Sequence, residues 1–270
     1  MGNGIAHTFA QNGFDVSLID INQEALERGL QTISANLDRQ IKKDLLTIEA
    51  KSQVMARIKG FTELHEGVGA ADLVVEAATE KEALKCSLFT EMDRFSPEHA
   101  LLASNTSSIS ITKLAAATKR PEKVIGMHFM NPVPVMKLVE IINGHKTSEE
   151  TTGQVVELSK KLQKIPITVH DYPGFIANRI LMPMINEAIY AHYEGVASVE
   201  AIDDIMKLGM AHPMGPLQLA DFIGLDVCLS ILKVLYEGFG NPKYAPCPLL
   251  INMVQAGQLG RKTGTGFYSY

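Results

Sequence analysis

The sequence predicts an α/β fold: a doubly wound parallel sheet that lacks its first strand, followed by an all-α domain. Three observations carry this expectation. Short β-branched runs alternate with helical stretches through the first two-thirds of the 270 residues, and near-continuous apolar strands in such an alternation imply a parallel sheet covered on both faces. From Pro173 onward the chain shows helical periodicity alone. Between the two regimes, His170-Asp171-Tyr172-Pro173-Gly174 carries the punctuation of a handover from one domain to another. The expected domains are residues 1–171 and 172–270.

The first element is a helix. Met1-Gly2-Asn3-Gly4 leads into an apolar face of Ile5, Ala6, Phe9 and Ala10, and Asn12-Gly13 suits a left-handed C-terminal position. A strand at 16–19 follows and ends in Asp20. A glycine at a helix start, then a strand ending in an acid 18 residues later, is the back half of a Rossmann-type dinucleotide-binding unit. The helix N-terminus offers unpaired N–H groups and a positive dipole end to a pyrophosphate, and glycine lets the backbone come close. No strand and no G-x-G turn precede Gly2, hence the expectation of a sheet without its first strand. Further strands are expected at 73–75, 100–103, 124–129 and 138–142, with helices at 23–39, 81–95 and 149–164. Residues 39–59 read as a basic helical arm, with Arg39, Lys42, Lys43, Lys51, Arg57 and Lys59 against Asp44 and Glu49. Composition leaves two readings of it, a solvated arm or a docking surface for a phosphate-bearing ligand. In the last third, helices are expected at 175–193, 198–207 and 217–236.

Composition removes several classes of function. Hydrophobic residues at 46% and charged residues at 20% exclude a disordered chain. A net charge of -5 argues against nucleic acid as the main partner. Cys86, Cys228 and Cys247 are far apart, with no CxxC pair and no Cys/His cluster. That suits a reducing cytosol, with neither a disulfide framework nor a metal site. No apolar run approaches the roughly 18 residues of a membrane span, and no signal peptide is visible. The expectation is a cytoplasmic globular protein without a membrane partner.

Individual residues are candidates for proton transfer, each with a plainer reading beside it: a lone histidine is more often structural or at the surface, and a strand-edge glutamate can face water. His128 ends a predicted strand, where doubly wound sheets place their ligands, and an imidazole can take and return a proton near neutrality. Glu140 interrupts the apolar run Leu138-Val139-Glu140-Ile141-Ile142, and a carboxylate in a buried strand must be paired. Pairing with His128 would orient the ring and stabilise its protonated form. Ser107 precedes Ile109, where it could also serve as a helix N-cap.

Six motifs occur in order: Val74-Val75-Glu76-Ala77-Ala78-Thr79-Glu80, Ala103-Ser104-Asn105-Thr106-Ser107-Ser108, Gly126-Met127-His128-Phe129-Met130-Asn131-Pro132, Pro173-Gly174-Phe175-Ile176-Ala177-Asn178-Arg179, His212-Pro213-Met214-Gly215-Pro216 and Gly260-Arg261-Lys262-Thr263-Gly264-Thr265-Gly266-Phe267-Tyr268. Through the whole chain they resemble the 3-hydroxyacyl-CoA dehydrogenase family, most closely its short bacterial members acting on 3-hydroxybutyryl-CoA. The resemblance implies an NAD-dependent oxidoreductase that interconverts short (S)-3-hydroxyacyl-CoA and 3-oxoacyl-CoA. It implies catalytic roles for His128, Glu140, Ser107 and Asn178, the last two as polar contacts to the substrate. It implies a cofactor site lined by Gly2, Asp20, Glu80, Lys85, Ser107, Asn131 and Lys262. A carboxylate at Asp20 binds a ribose diol and repels a 2′-phosphate, and the first arginine after it is Arg28, so NAD is expected over NADP. The resemblance gives the basic arm a role in binding coenzyme A and the helical third a role in forming a homodimer. The alternative expectation is a non-catalytic, crystallin-like relative with an impaired cofactor site.

Overall fold

Two ladders, not one, organise the strands. In the computed structural model, which describes residues 1–270, β1 (Val16–Ile19) pairs in parallel with β2 (Ile58–Phe61). A second sheet runs in the order β3 (Leu73–Glu76), β4 (Leu101–Ser104), β5 (Val124–Phe129), β6 (Leu138–Asn143) and β7 (Ile165–His170). No ladder joins β1 to β3. By contact the chain divides into two units, Met1–Asp171 and Tyr172–Tyr270.

The first unit shows where local sequence is overruled. The strands pair in parallel, as a doubly wound sheet requires, except β5 and β6, which are antiparallel. The connection at 130–137 is too short for the crossover that parallel neighbours require, so the chain returns as a hairpin. The helix expected at 149–164 stops at Lys161 as α7 (Glu149–Lys161), and β7 begins at Ile165. Pro166 would break a helix there, whereas as the second residue of a strand beside β6 it is tolerated. The basic arm is helical through most of its length, in α2 (Gln23–Ile41) and α3 (Ile48–Ala56), but Ile58 and Lys59 are in β2. Pairing of that segment with β1 overrides the helical spacing. Caps mark the helix starts that the sequence does signal. Asn22 accepts from the Ala25 amide at α2, and Ser148 accepts from the Thr151 amide at α7, with Glu149 and Glu150 in the first turn.

The helix α1 (Gly2–Gln11) serves two apolar clusters of this unit. Ile5 joins the cluster of Ile125, Met127, Val139 and Ile141 on the larger sheet. Ala6 and Ala10 join Ile33, Leu37 and Val54 beside the smaller one. Full burial of a side chain such as Ile33 contributes roughly 1.5–3 kcal/mol each. On the same helix lies His7, fully buried, whose Nδ1 has no hydrogen-bond partner. Burial pushes its pKa down, a hydrogen bond with Gln11 opposes this weakly, and the Lys164 ammonium adds to the lowering.

The second unit comprises α8 (Ala177–Tyr193), α9 (Val199–Gly209), α10 (Pro216–Ile223), α11 (Leu225–Phe239) and α12 (Pro248–Gln255) around Met182, Ile185, Ile189, Leu217, Leu232 and Leu250. The single helix expected at 217–236 is two helices. Gly224 breaks it with φ of 104°, and a Cβ there would also stand 3.2 Å from Lys262 Nζ.

Candidate active site

His128 and Glu140 are register partners across the antiparallel pair of β5 and β6. Directly opposite residues on one face bring their side chains together, and here they meet inside the sheet, 7% and 3% exposed. His128 Nδ1 lies 2.7 Å from Glu140 Oε2, and His128 Nε2 lies 3.1 Å from Ser107 Oγ. A carboxylate at Nδ1 holds the ring proton on that side, so Nε2 presents its lone pair to the hydroxyl. This hydroxyl–imidazole–carboxylate line can accept a proton at Nε2 and stabilise the resulting cation through Glu140.

Ser107 is delivered by the loop between β4 and α6 (Ile111–Ala116). It does not cap that helix. Ser110 is the N-cap, its hydroxyl accepting from the Lys113 amide, while Thr106 Oγ1 accepts from the Ile109 amide. The loop is held instead by Glu80, whose Oε1 accepts from Thr106 Oγ1, from the amides of Ser107 and Ser108, and from the Ser108 hydroxyl, at 2.5–3.1 Å. Burial alone would raise the Glu80 carboxyl. The Thr106 hydroxyl, the Lys85 ammonium, Ser108 and the Ser107 amide outweigh it and hold the pKa below the ordinary carboxylate value.

Lys85, on α5 (Glu82–Phe95), is 1% exposed and is no solvated helix residue. Its ammonium lies 2.6 Å from Glu76 Oε1, 3.1 Å from the Ala78 carbonyl and 3.4 Å from Glu80 Oε2. Behind the loop, Asn105 donates its amide to the Glu76 carbonyl, and its side-chain oxygen accepts from the Phe129 amide at 2.9 Å, next to His128. Glu76, Ser104, Asn105 and Thr106 were not among the residues singled out from sequence. The argument that selected Glu140 applies equally to Glu76, a lone carboxylate in the apolar strand Leu73-Val74-Val75-Glu76.

The other expected residues are placed separately. Gly2 opens α1, where a Cβ would meet Ala77 Cβ at 3.8 Å, and Met1 provides no side-chain cap to the helix amides. Asp20 follows β1, exposed, with Oδ1 accepting from the Ile21 amide at 2.8 Å. Asn131 is exposed just after β5. In the second unit, Asn178 is a buried residue of the first turn of α8, and Lys262 pairs with Asp226. On the basic arm, Lys51 pairs with Asp38 and Arg57 with Asp15, while Lys42, Lys43 and Lys59 are exposed and carry no ion pair. No helix is long and apolar enough to cross a membrane.

Comparison with known proteins matches this arrangement over its whole length. Residues 1–172 fit the pattern described as 3-hydroxyacyl-CoA dehydrogenase, NAD binding domain, and residues 174–270 fit the C-terminal domain of the same enzyme family. The probable 3-hydroxybutyryl-CoA dehydrogenase of Bacillus subtilis is 56% identical over 270 residues, covering 100% of this chain and 94% of its own. The mitochondrial hydroxyacyl-coenzyme A dehydrogenase of Rattus norvegicus is 42% identical over 276 residues, covering 100% of this chain and 88% of its own. The crystal structure of (S)-3-hydroxybutyryl-CoA dehydrogenase from Ralstonia eutropha superposes with a TM-score of 0.97 at 53% identity, over 100% of this chain and 95% of that one. With family patterns spanning both units, and with sequence and backbone agreeing, the chain belongs to the 3-hydroxyacyl-CoA dehydrogenase family.

Proposed function

We propose that the chain is an NAD-dependent dehydrogenase interconverting short (S)-3-hydroxyacyl-CoA, such as 3-hydroxybutyryl-CoA, and 3-oxoacyl-CoA, such as acetoacetyl-CoA. The observation that carries this reading is the hydrogen-bonded line from the half-buried Ser107 through the buried His128 to Glu140. In the oxidative direction His128 Nε2 takes the 3-hydroxyl proton as the carbon gives up its hydride. Glu140 stabilises the imidazolium, and the Ser107 hydroxyl holds the substrate oxygen through a hydrogen bond. When bound, the nicotinamide supplies the hydride acceptor, or the donor in the reverse direction. The chain's residues fit that group: the uncapped amides of α1 at Gly2 suit a pyrophosphate, and the exposed Asp20 carboxylate suits a ribose diol. Glu80 and Lys85 follow β3 and Asn131 follows β5, beyond the carboxyl ends of those strands. The contributions of Asn178 to substrate binding and of Lys262 to cofactor binding rest on family resemblance.

Lys42 and Lys43 are exposed cations without acidic partners in a chain of negative net charge, and they suit the phosphates of coenzyme A. Three unpaired cysteines suit a cytosolic setting. On α9 the exposed Ile205 and Leu208 suit a second copy of the chain, and sedimentation at the monomer mass would remove that reading.

The decisive experiment is acetoacetyl-CoA reduction followed by loss of NADH. Turnover with NADH and little with NADPH is expected, and Asp20→Ala should relax that preference. Lys42→Glu with Lys43→Glu should raise KM for acetoacetyl-CoA roughly fivefold at low salt, about 1 kcal/mol, and less at high salt. No turnover with either nucleotide would sink the proposal.

A further inference from the structure

β3 and β4 pair in parallel with Leu73 beside Leu101, Val74 beside Leu102, Val75 beside Ala103 and, last, Glu76 beside Ser104. Three apolar rungs end in a polar one, at the carboxyl ends of the strands, where open α/β sheets place their ligands. Both side chains are buried, Ser104 completely and Glu76 to 5% exposure.

Two branches of hydrogen bonds leave the Glu76 carboxylate. Along the first, Oε2 accepts from Ser104 Oγ at 2.6 Å, and Ser104 Oγ in turn accepts from the Thr106 amide at 3.2 Å. Along the second, Oε1 accepts from Lys85 Nζ at 2.6 Å, and Lys85 reaches Glu80, which gathers Thr106, Ser107 and Ser108. Oε1 also accepts from the Ala78 amide at 2.6 Å, which fixes the start of the segment leading to Glu80. Both branches arrive at the loop that carries Ser107.

We propose that Glu76 and Ser104 are positioning residues for Ser107, holding its hydroxyl within hydrogen-bond reach of His128 Nε2. An apolar last rung would serve the sheet as well and would avoid the desolvation of a buried ion pair. What the polar rung adds is direction. Hydrogen bonds fix the loop at an angle and distance that packing alone leaves free, and a reacting group must be held that closely. The inference rests on the proposed part of Ser107 in the reaction.

The test is a double-mutant cycle in acetoacetyl-CoA reduction, with NADH affinity read independently by fluorescence titration. Ser107→Ala should lower kcat. Ser104→Ala should lower kcat by between about 10- and 10²-fold, as misplacement of a reacting group by up to an ångström does, with NADH affinity nearly unchanged. The double variant should be no slower than Ser107→Ala, because both changes remove one effect. If the losses multiply, or if Ser104→Ala keeps full kcat, the inference is overturned while the reading of Ser107 stands. If Ser107→Ala itself keeps full kcat, that reading fails and the inference fails with it. Should Ser104→Ala fail to fold, Glu76→Gln takes its place in the same cycle, since it keeps the shape and removes the charge facing Lys85.

Discussion

The two units bury carboxylates to nearly the same depth and use them differently. In the first, Glu140 faces an imidazole, and Glu76 faces an ammonium and a hydroxyl. In the second, Asp203 is 1% exposed and accepts from the amides of Leu217 and Gln218 and from the Tyr268 hydroxyl. Asp221, equally buried, accepts from the amides of Phe267 and Tyr268 and from the Tyr270 hydroxyl. Gly215 is required beside the first of these, since a Cβ there would stand 2.2 Å from Asp203 Cγ. Fixed amides and phenols offer such a carboxylate no base with which to share a proton. The Tyr268 hydroxyl is itself driven further from ionisation, by burial and by its bond to Asp203. Buried charge marks a site of proton chemistry when its partner can change protonation, and a fastening when its partners cannot.

The comparison predicts that damage to the first unit's line appears in turnover and damage to the second unit's carboxylates appears in stability. The largest effect belongs to His128. His128→Ala should lower kcat by about 10²- to 10⁴-fold, the span of a general base, measured at a temperature where the variant is fully folded. Near-full turnover in acetoacetyl-CoA reduction would break the comparison at its first term. Asp203→Asn should do the reverse. An amide N–H₂ would face a backbone or phenolic donor, costing roughly 2 kcal/mol, a fall in Tm of about 5 °C, with kcat unchanged below the transition. A loss of kcat without loss of stability would place Asp203 in the reaction instead.

His7 sharpens the contrast with the smallest effect, because it is a titratable group in the first unit that no step uses. It is packed against Gln11 and Gln40 and feels Lys164. Its folded pKa lies below the unfolded value of 6.5, so the unfolded chain binds the proton more readily. The stability it contributes is complete above that value and is lost as pH falls below it. Thermal melts from pH 7 to pH 5 should show a smaller fall in Tm for His7→Gln than for the parent. Equal slopes would show that burial of His7 carries no linkage to folding.

How much of this was legible depended on whether the signal was local. The helix starts at Gln23 and Glu149, the strand at 124–129 and the buried glutamate at Glu140 speak for themselves, because each obeys a rule spanning a few neighbours. β2 and β7 did not, since both exist by pairing with strands distant in sequence. Gly224 was visible as a residue and not as a break, because an isolated glycine within a helical pattern is often tolerated.

Sequence alone determined the strand–helix alternation, the change to helices after Pro173, the family to which the motifs belong, and the candidacy of His128 and Glu140. The first two follow from residue type and period, which any stretch of chain displays by itself, and the last two from motifs whose order along the chain carries the family resemblance. Only the tertiary structure decided that β5 and β6 run antiparallel, which sets His128 opposite Glu140. It also decided that the last rung of β3 and β4 is Glu76 beside Ser104, and that Glu80 gathers the Ser107 loop across 27 residues of sequence. Register and loop closure join residues far apart along the chain, and their choice is made by backbone hydrogen bonds and shared burial that no local pattern records.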